Sequence, residues 1–384
     1  MKRVWVIWMA LVLALSGFSV KASAVELEVG GKSALLMDVA TGTILYEQNA
    51  HEKLAPASVT KVMTMLLIME ALETGKISWD DPVTASESAA TKGGSQVYLK
   101  VGETMSVSDM LKSVAVSSAN DCACALAEHI AGSESAFVEK MNIRAGQLGM
   151  KDTHFVNCTG LDDSEEAKQH RTSAQDIALM SRELLKNHPD IKKYTTIWMD
   201  TVRNGTFGLS NTNKLIRFYS GATGLKTGFT SGAGYCLSAS AEREGMELIA
   251  VVMGCETSQK RPAACKAMLD FGFANFAVVM PSLENEVVVP VTLGVRDQVM
   301  ASLGQEEGLL VDKGLRSSVT TEVTLEEGVT APVSLGQRLG TMTVKAGEQG
   351  LAEIPLVAAE SVEKLTFGQL FVRILKKVAM AKES

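Results

Sequence analysis

The sequence predicts an α+β fold, in which a mixed β-sheet is covered by helices, followed by a small all-β domain and a C-terminal amphipathic helix. Strand-like runs flank a series of helical patterns within the first 275 residues. That order favours a single sheet with helices packed on it. Beyond about Phe276, runs rich in Val and Thr alternate with glycine-containing turns, as is typical of a small β domain.

The N-terminus has the pattern of a secretory signal peptide. Lys2 and Arg3 precede an apolar stretch over 4–20, and Ala22-Ser23-Ala24 is a small-residue cleavage site. We therefore expect residues 1–24 to be removed and the protein to be exported. The alternative is an uncleaved membrane anchor, because the apolar stretch approaches the roughly 18 residues that a span needs.

Charge and length limit the function classes. Loss of Lys2, Arg3 and Lys21 takes the formal charge from -7 to -10, since residues 1–24 contain no acidic residue. So acidic a chain is not expected to bind nucleic acid. The remaining length exceeds one hydrophobic core, which predicts a catalytic domain over 25–275, a β-rich domain over 276–360 and a helix over 361–384.

Cysteine and histidine patterns give no support for metal or redox chemistry. The 6 cysteines all lie in the middle of the chain and form no Cys-x-x-Cys pair. We interpret them as buried free thiols, although export permits a disulfide. The 5 histidines include no His-Glu-x-x-His, so neither a metal nor a cofactor is expected.

The spacing of apolar residues and the positions of Pro and Gly predict the helices and strands of the first domain. Runs over 34–39 and 43–46 predict a hairpin. Pro56 and Gly75 bracket a helix over 58–73, in which apolar residues recur at helical spacing. Further helices are predicted over 107–116, 121–130, 135–148, 173–185 and 261–273, with strands over 234–241 and 247–254.

The C-terminal part carries no recognisable catalytic residues. Its predicted strands cover 287–292, 318–325 and 340–344, and this β domain contains neither cysteine nor histidine. We interpret it as a spacer or binding platform.

The final segment, 362–380, has an apolar side opposite basic residues. Leu370, Phe371, Ile374, Leu375 and Val378 share the apolar side, whereas Arg373, Lys376 and Lys377 are polar. An amphipathic helix of this kind suits the surface of a membrane. Packing on its own domain is the competing interpretation.

The strongest local signal for chemistry is Ser58-Val59-Thr60-Lys61 at the start of the first long helix. Residues three apart share a helix face, so the Lys61 amine can reach the Ser58 hydroxyl. A lysine can activate a serine when burial or nearby positive charge lowers its pKa. A second Ser-x-x-Lys, Ser361 to Lys364, is interpreted as a helix-start serine with a solvated lysine.

Two further motifs make the Ser-x-x-Lys match at Ser58 more significant than a chance occurrence. Ser118-Ala119-Asn120 lies between two predicted helices, and Lys226-Thr227-Gly228 enters a strand. The three motifs together resemble those of penicillin-recognising serine enzymes. With Leu54-Ala55-Pro56-Ala57-Ser58 and Asn157-Cys158-Thr159-Gly160-Leu161, the chain is similar to low-molecular-weight penicillin-binding proteins, which are serine-type D-alanyl-D-alanine carboxypeptidases with a β-lactamase-like transpeptidase fold.

The resemblance implies a catalytic group of three residues. Ser58 would attack the carbonyl between the two terminal D-alanines of a peptidoglycan pentapeptide and become acylated. Lys61 would be the base, and Ser118 would relay a proton to the leaving amine. β-Lactam antibiotics would be covalent inhibitors. The enzyme would work at the outer face of the cytoplasmic membrane, held peripherally by its C-terminal helix.

The resemblance also implies a set of binding groups. Asn120 would hold the peptide or the lysine, and Lys226 and Thr227 would bind the terminal carboxylate. Gly228 would let the strand approach the peptide closely. The backbone N–H groups of Ser58 and Phe229 would form the oxyanion hole. Some relatives carry histidine where Phe229 stands, and activity is expected to survive this change.

Three further residues receive structural interpretations. Asp176 follows Ser173 by three residues, as in a capping box. Asp121 is expected to cap the helix that follows Asn120. Arg261 begins a predicted helix near the sheet, where we expect a salt bridge, with substrate contact as the alternative.

Two rival functions remain at this stage. A serine β-lactamase uses the same motifs but adds a glutamate for deacylation, and no Glu-x-x-Leu-Asn occurs between Ser118 and Lys226. A silent wall-binding protein would normally have lost one of the three motifs. The stretches 63–72 and 93–96 are most similar to the sporulation-associated branch of the family.

Overall fold

The structure is a computed structural model that describes residue 27 and residues 29–283, 285–305 and 308–380, with only the backbone of 377–380. The predicted signal peptide, residues 1–24, lies outside the described residues. The helices are α1 (Lys61–Glu73), α2 (Glu87–Ala90), α3 (Val107–Ser117), α4 (Asn120–Ala131), α5 (Glu134–Gln147), α6 (Ala174–Asn187), α7 (Lys192–Thr195), α8 (Leu215–Phe218), α9 (Lys260–Asn275) and α10 (Phe367–Met380).

The strands alternate with these helices along the chain. They are β1 (Ser33–Asp38), β2 (Ile44–Gln48), β3 (Pro82–Thr84), β4 (Thr104–Ser106), β5 (Met199–Val202), β6 (Phe207–Ser210), β7 (Ala222–Thr230), β8 (Gly234–Arg243), β9 (Met246–Cys255), β10 (Phe276–Val279), β11 (Val287–Pro290), β12 (Gln298–Leu303), β13 (Leu309–Asp312), β14 (Val319–Leu325), β15 (Arg338–Ala346) and β16 (Gln349–Ala358).

A five-stranded antiparallel sheet organises the first part of the chain, in the order β2-β1-β9-β8-β7. Its central strand β9 is buried on both faces, and successive side chains alternate between two cores. Ile249 and Val251 join the core that contains α1, α3, α4 and α6. Leu248 and Ala250 join the core that contains α9. The predicted α+β fold is confirmed, but the sheet is antiparallel at all four strand pairings and not mixed, and β7 lies at one edge.

Helix α1 is buried nearly all round, which is why its apolar residues do not form a single stripe. Val62, Met63, Met65 and Leu66 are all fully buried. The predicted helix over 58–73 begins with a 3-10 turn over Ala57–Thr60 before the α-helix starts at Lys61. This turn sets the position of Ser58 at the end of a rigid central helix.

The C-terminal part is a second antiparallel sheet, in the order β11-β12-β16-β15-β14. It has its own core, which includes Val289, Leu339, Met342 and Leu356. The predicted all-β region is therefore confirmed. A separate two-stranded sheet pairs β10 with β13.

The terminal helix starts later than predicted. Helix α10 begins at Phe367, because residues of the 361–364 segment pair with the β domain instead. Val362 forms a bridge with Val333, and Lys364 forms one with Gly294. The interpretation of Ser361 as a helix-start residue is wrong, since its hydroxyl accepts the Leu335 N–H. Within the described part of the chain, no helix has the length and apolar character to cross a membrane.

Candidate active site

The Ser58 turn is held between two glycines. The half-buried Ser58 follows Ala57, whose φ of 47° is left-handed, a conformation that non-glycine residues adopt mainly at functional or strained sites. A Cβ at Gly160 would lie 1.8 Å from Ala57 O, and one at Gly228 would lie 2.6 Å from Pro56 O. Only glycine therefore allows these two segments to pack against the turn.

Lys61 points directly at the serine. Its Nζ lies 3.1 Å from Ser58 Oγ, 2.5 Å from Asn120 Oδ1 and 2.8 Å from Thr159 O. Complete burial lowers the pKa of Lys61 to about 7, against smaller opposing effects from Cys158 and Asp121. An amine with this pKa is substantially neutral near pH 7 and can accept a proton.

The Ser118-Ala119-Asn120 motif forms the junction of α3 and α4. Ser118 ends α3 in the left-handed region with φ 66°, and Asn120 is the first residue of α4. Asn120 Nδ2 donates to Gly93 O at 2.7 Å while its Oδ1 accepts from Lys61. Asn120 thus ties the lysine to the 93–99 loop.

Asp121 holds the same loop. Its carboxylate accepts the N–H groups of Val97 and Leu99, in addition to that of Cys122. The helix N-cap is Ala119. The capping interpretation of Asp121 is therefore wrong, because the fully buried carboxylate anchors a loop that is distant in sequence.

Strand β7 supplies the opposite side of the site. Lys226 is 1% exposed, and its Nζ donates to Thr227 O at 2.9 Å. Burial, with Lys61 and Arg261 nearby, holds the pKa of Lys226 well below its usual range. Thr227 Oγ1 donates to Thr212 Oγ1 at 2.7 Å. Burial in this position therefore disfavours the charged form of Lys226.

Arg261 joins this side without any acidic partner. Its Nη1 donates to Gly228 O at 3.2 Å and to Cys236 O at 3.5 Å. Its buried Nε has no hydrogen-bond partner among the described residues, and its guanidinium lies 5.7 Å from the Tyr235 ring centroid. The expected salt bridge is absent from the described residues, so that interpretation is wrong, and Arg261 is a buried cation without an acidic partner in that part of the chain.

Gly228 and Phe229 play different parts at the end of β7. At Gly228 the close approach within the protein is to the Ser58 turn; its approach to the peptide stays a prediction. Phe229 is 52% exposed, and its ring stacks on Tyr235 with centroids 4.2 Å apart. The Phe229 side chain thus adds an apolar surface beside the predicted oxyanion hole.

Comparisons with known proteins agree with this geometry. Residues 19–257 match the family model described as D-alanyl-D-alanine carboxypeptidase, and residues 281–364 match that of the penicillin-binding protein 5 C-terminal domain. The chain belongs to the D-alanyl-D-alanine carboxypeptidase family. This membership confirms the predicted family, fold and serine-peptidase class.

The relatives are similar over nearly their whole length. D-alanyl-D-alanine carboxypeptidase DacF of Bacillus subtilis is 45% identical over 348 residues, which are 89% of this chain and 88% of the relative. DacC of Escherichia coli is 34% identical over 365 residues, 92% and 88% of the two chains. Penicillin-binding protein 5 of Haemophilus influenzae has a TM-score of 0.73 at 32% identity, covering 88% and 98%.

The cysteines and Asp176 of this carboxypeptidase are buried within the protein. All six cysteines are free and buried, as predicted. Ser173 accepts the Asp176 N–H, and Asp176 accepts from Asp152 N and Thr153 Oγ1, in agreement with a structural role.

One group of possible metal ligands, Glu70, Glu183 and His188, occurs among the described residues. Arg144 donates to both glutamates. Their carboxylates are therefore already paired with a cation.

Proposed function

We propose that Ser58 is acylated by the stem peptide and that Lys61 is the base. Ser58 Oγ attacks the carbonyl between the terminal D-alanines while its proton passes to the neutral Lys61 amine. A proton delivered through Ser118 lets D-alanine leave, and water then releases the shortened peptide. The main support for this mechanism is the position of the buried Lys61 amine. Its Nζ lies 3.1 Å from Ser58 Oγ, and burial lowers its pKa to about 7.

The strand side of the site would bind the terminal carboxylate of the substrate. Lys226, Thr227 and Arg261 offer an amine, a hydroxyl and a guanidinium on neighbouring segments. A carboxylate forms its strongest hydrogen bonds with charged donors of this kind. Its negative charge would also raise the pKa of Lys226 and restore the ammonium on binding.

The oxyanion hole would consist of the N–H groups of Ser58 and Phe229. Both belong to segments that Gly228 brings into contact. Losing one such donor typically costs about 3 kcal/mol of transition-state stabilisation.

β-Lactams would acylate the same serine. Penicillin-binding protein D2 of Listeria monocytogenes, solved in an ampicillin-bound form, has a TM-score of 0.57 at 33% identity over 64% of this chain and 99% of its own. The shared motifs support the same reaction at Ser58, with slow release of the adduct.

The direct test is release of D-alanine from a pentapeptide that ends in D-Ala-D-Ala. Wild-type protein should release one D-alanine per peptide, and Ser58→Ala should release none above background. Binding of wall fragments by wild-type protein without any release would contradict the proposal and favour a silent wall-binding protein.

We also propose that the exported protein is held at the membrane surface by α10. Phe367, Phe371, Ile374 and Leu375 are each more than half exposed. Arg373 instead faces the β domain, where it donates to Gly294 O. A helix packed on its own domain would bury its apolar side, whereas α10 presents that side to solvent. A sporulation-associated role remains a proposal supported by the stretches 63–72 and 93–96 alone.

Vesicle flotation tests the membrane proposal. The double change Phe371→Ser with Ile374→Ser should abolish binding of the protein to phospholipid vesicles. Val323→Ser, on a partly exposed apolar residue of β14, is the matched control and should bind like wild type. Equal binding by the α10 variant would contradict the proposal.

A further inference from the structure

A hydroxyl outside the three motifs contacts the site directly. Thr212 lies between β6 and α8, and its Oγ1 accepts the Thr227 hydroxyl at 2.7 Å. Thr227 is the residue of β7 that is proposed to donate to the substrate carboxylate. Each threonine hydroxyl carries one proton and can accept two hydrogen bonds. The single Thr227 hydroxyl proton is therefore engaged by Thr212 in this structure.

The backbone on either side of Thr212 is fixed by two buried asparagines. Asn211 Nδ2 donates to Ile197 O at 2.7 Å, and Asn211 Oδ1 accepts the Asn213 N–H at 2.8 Å. Asn213 Nδ2 donates to Gly224 O at 2.8 Å, and its Oδ1 accepts the Leu215 N–H. Asn211 is 6% exposed and Asn213 is 2% exposed. Buried amides satisfied in this way leave the backbone little freedom to move.

The same segment connects the two sides of the site. The Thr212 N–H donates to Val116 O at 3.1 Å, two residues before Ser118. Asn213 contacts Gly224 of β7, two residues before Lys226. Thr212 is therefore held between the end of α3, which leads into the Ser118 motif, and the strand that carries Thr227.

We propose that Thr212 is a positioning residue that sets the direction of the Thr227 hydroxyl and so contributes to selection of a terminal carboxylate. When the carboxylate arrives, the Thr227 O–H turns to it, and the Thr212 O–H turns to donate to Thr227 Oγ1. The two hydroxyls then form a chain that ends on the negative charge, in which each bond polarises the next. No proton is transferred, because only the two O–H directions change. This inference rests on the proposed carboxypeptidase function.

A pair of peptides separates this role from a general structural one. One peptide ends in D-Ala-D-Ala with a free carboxylate, and the other carries a C-terminal carboxamide. Thr212→Val keeps the side-chain shape and the backbone N–H but removes the hydroxyl. We expect it to lower kcat/KM for the carboxylate peptide by about 5-fold, the size of one hydrogen bond between neutral groups. For the carboxamide peptide, kcat/KM should stay within about twofold of wild type.

Two companion variants complete the test. Thr212→Ser retains the hydroxyl and should restore the carboxylate preference. On a Thr227→Val background, Thr212→Val should have almost no further effect, because coupled residues are not additive. Thr212→Ala also lacks the hydroxyl, and it takes the place of Thr212→Val in every comparison if the thermal unfolding curve shows that the valine variant does not fold.

Several results would overturn the inference. They are equal losses on both peptides, wild-type kinetics in Thr212→Val, failure of Thr212→Ser to restore the preference, and additive losses in the double variant. If the wild-type protein cleaves neither peptide and Ser58 is not acylated by benzylpenicillin, the proposed function itself fails and this inference fails with it. If the wild-type protein is acylated and cleaves the peptide, but one of the four contrary results for the Thr212 variants is found, the proposed function stands and only the role of Thr212 is refuted.

Discussion

The two sides of the site differ in how completely their polar groups are satisfied. On the helical side, Lys61 Nζ has three oxygen partners, on Ser58, Asn120 and Thr159. On the strand side, Lys226 bonds a single backbone carbonyl among the described residues, and Arg261 keeps a buried N–H without a partner. The polar groups of the helical side are satisfied within the protein, whereas on the proposed function the strand side would receive its counter-charge from the substrate carboxylate.

This difference suggests that the helical side carries out the chemical step and that the strand side binds the substrate. Changes on the helical side should act mainly on kcat, because they remove interactions that the transition state needs. Changes on the strand side should act mainly on KM and should depend on the substrate carboxylate. Single substitutions on the two sides of the site test that division.

Lys61→Arg should lower kcat/KM by about 10²- to 10⁴-fold, the usual contribution of a general base. Arginine stays protonated and cannot accept the Ser58 proton. In wild type, burial lowers the pKa of Lys61 to about 7, so the neutral fraction grows as pH rises through 7. The kcat/KM profile should therefore rise across that range in wild type and lose this limb in the variant.

The exposed Lys76 provides the matched control for this change. Lys76→Arg should keep the rising limb unchanged. A limb near pH 7 that persists in Lys61→Arg would show that another group is the base.

Gly228→Ala should break the contact between the two sides. Its Cβ would lie 2.6 Å from Pro56 O, so either β7 or the Ser58 turn must shift. A displacement of about 1 Å can cost on the order of 10²-fold in rate. Steady-state kcat measures the loss, and Gly208→Ala, where a Cβ meets no atom within 4 Å, should retain wild-type kcat. Unchanged kcat in Gly228→Ala would contradict the role given to this contact.

Arg261→Gln should raise KM by about 10- to 100-fold, since a hydrogen bond to a charged group contributes about 1.5–3 kcal/mol. The effect on kcat should be smaller. The carboxamide peptide should show little difference between variant and wild type. Arg316→Gln, on an exposed arginine of the β domain, is the control and should keep the wild-type KM. A wild-type KM in Arg261→Gln would show that Arg261 does not bind the carboxylate.

Truncation after residue 366 should leave the peptidase almost unaffected. Helix α10 contacts the β domain, through Arg373 to Gly294 O, and we expect kcat/KM within about twofold of wild type, since its removal leaves the active-site packing unchanged. The same protein should no longer float with vesicles. A large loss of kcat/KM in solution would show that α10 supports the catalytic domain.

Much of the fold could be predicted from local pattern. The helices after Ser106 and Ser173 begin at capping serines, and their bounds lie within two residues of the prediction, because caps and helical periodicity are encoded locally. The beginning of α10 could not be predicted, because bridges to residues 294 and 333 take the 362–364 segment into the β domain.

The site was predictable only where residues form motifs. Ser58, Lys61, Asn120, Lys226 and Thr227 belong to three short patterns that the fold brings together. Arg261 and Thr212 have no such pattern, and their partners lie 33 and 15 residues away in the sequence. Sequence spacing could not show that Arg261 lacks a carboxylate or that Thr212 reaches β7.

The most direct test of the acyl-enzyme account is intact-protein mass spectrometry of the signal-free protein with benzylpenicillin, followed by peptide mapping. We expect one covalent adduct on Ser58 that decays slowly and is absent from Ser58→Ala. An adduct on another residue, or no adduct on well-folded wild-type protein, would contradict the assignment of Ser58 as the nucleophile.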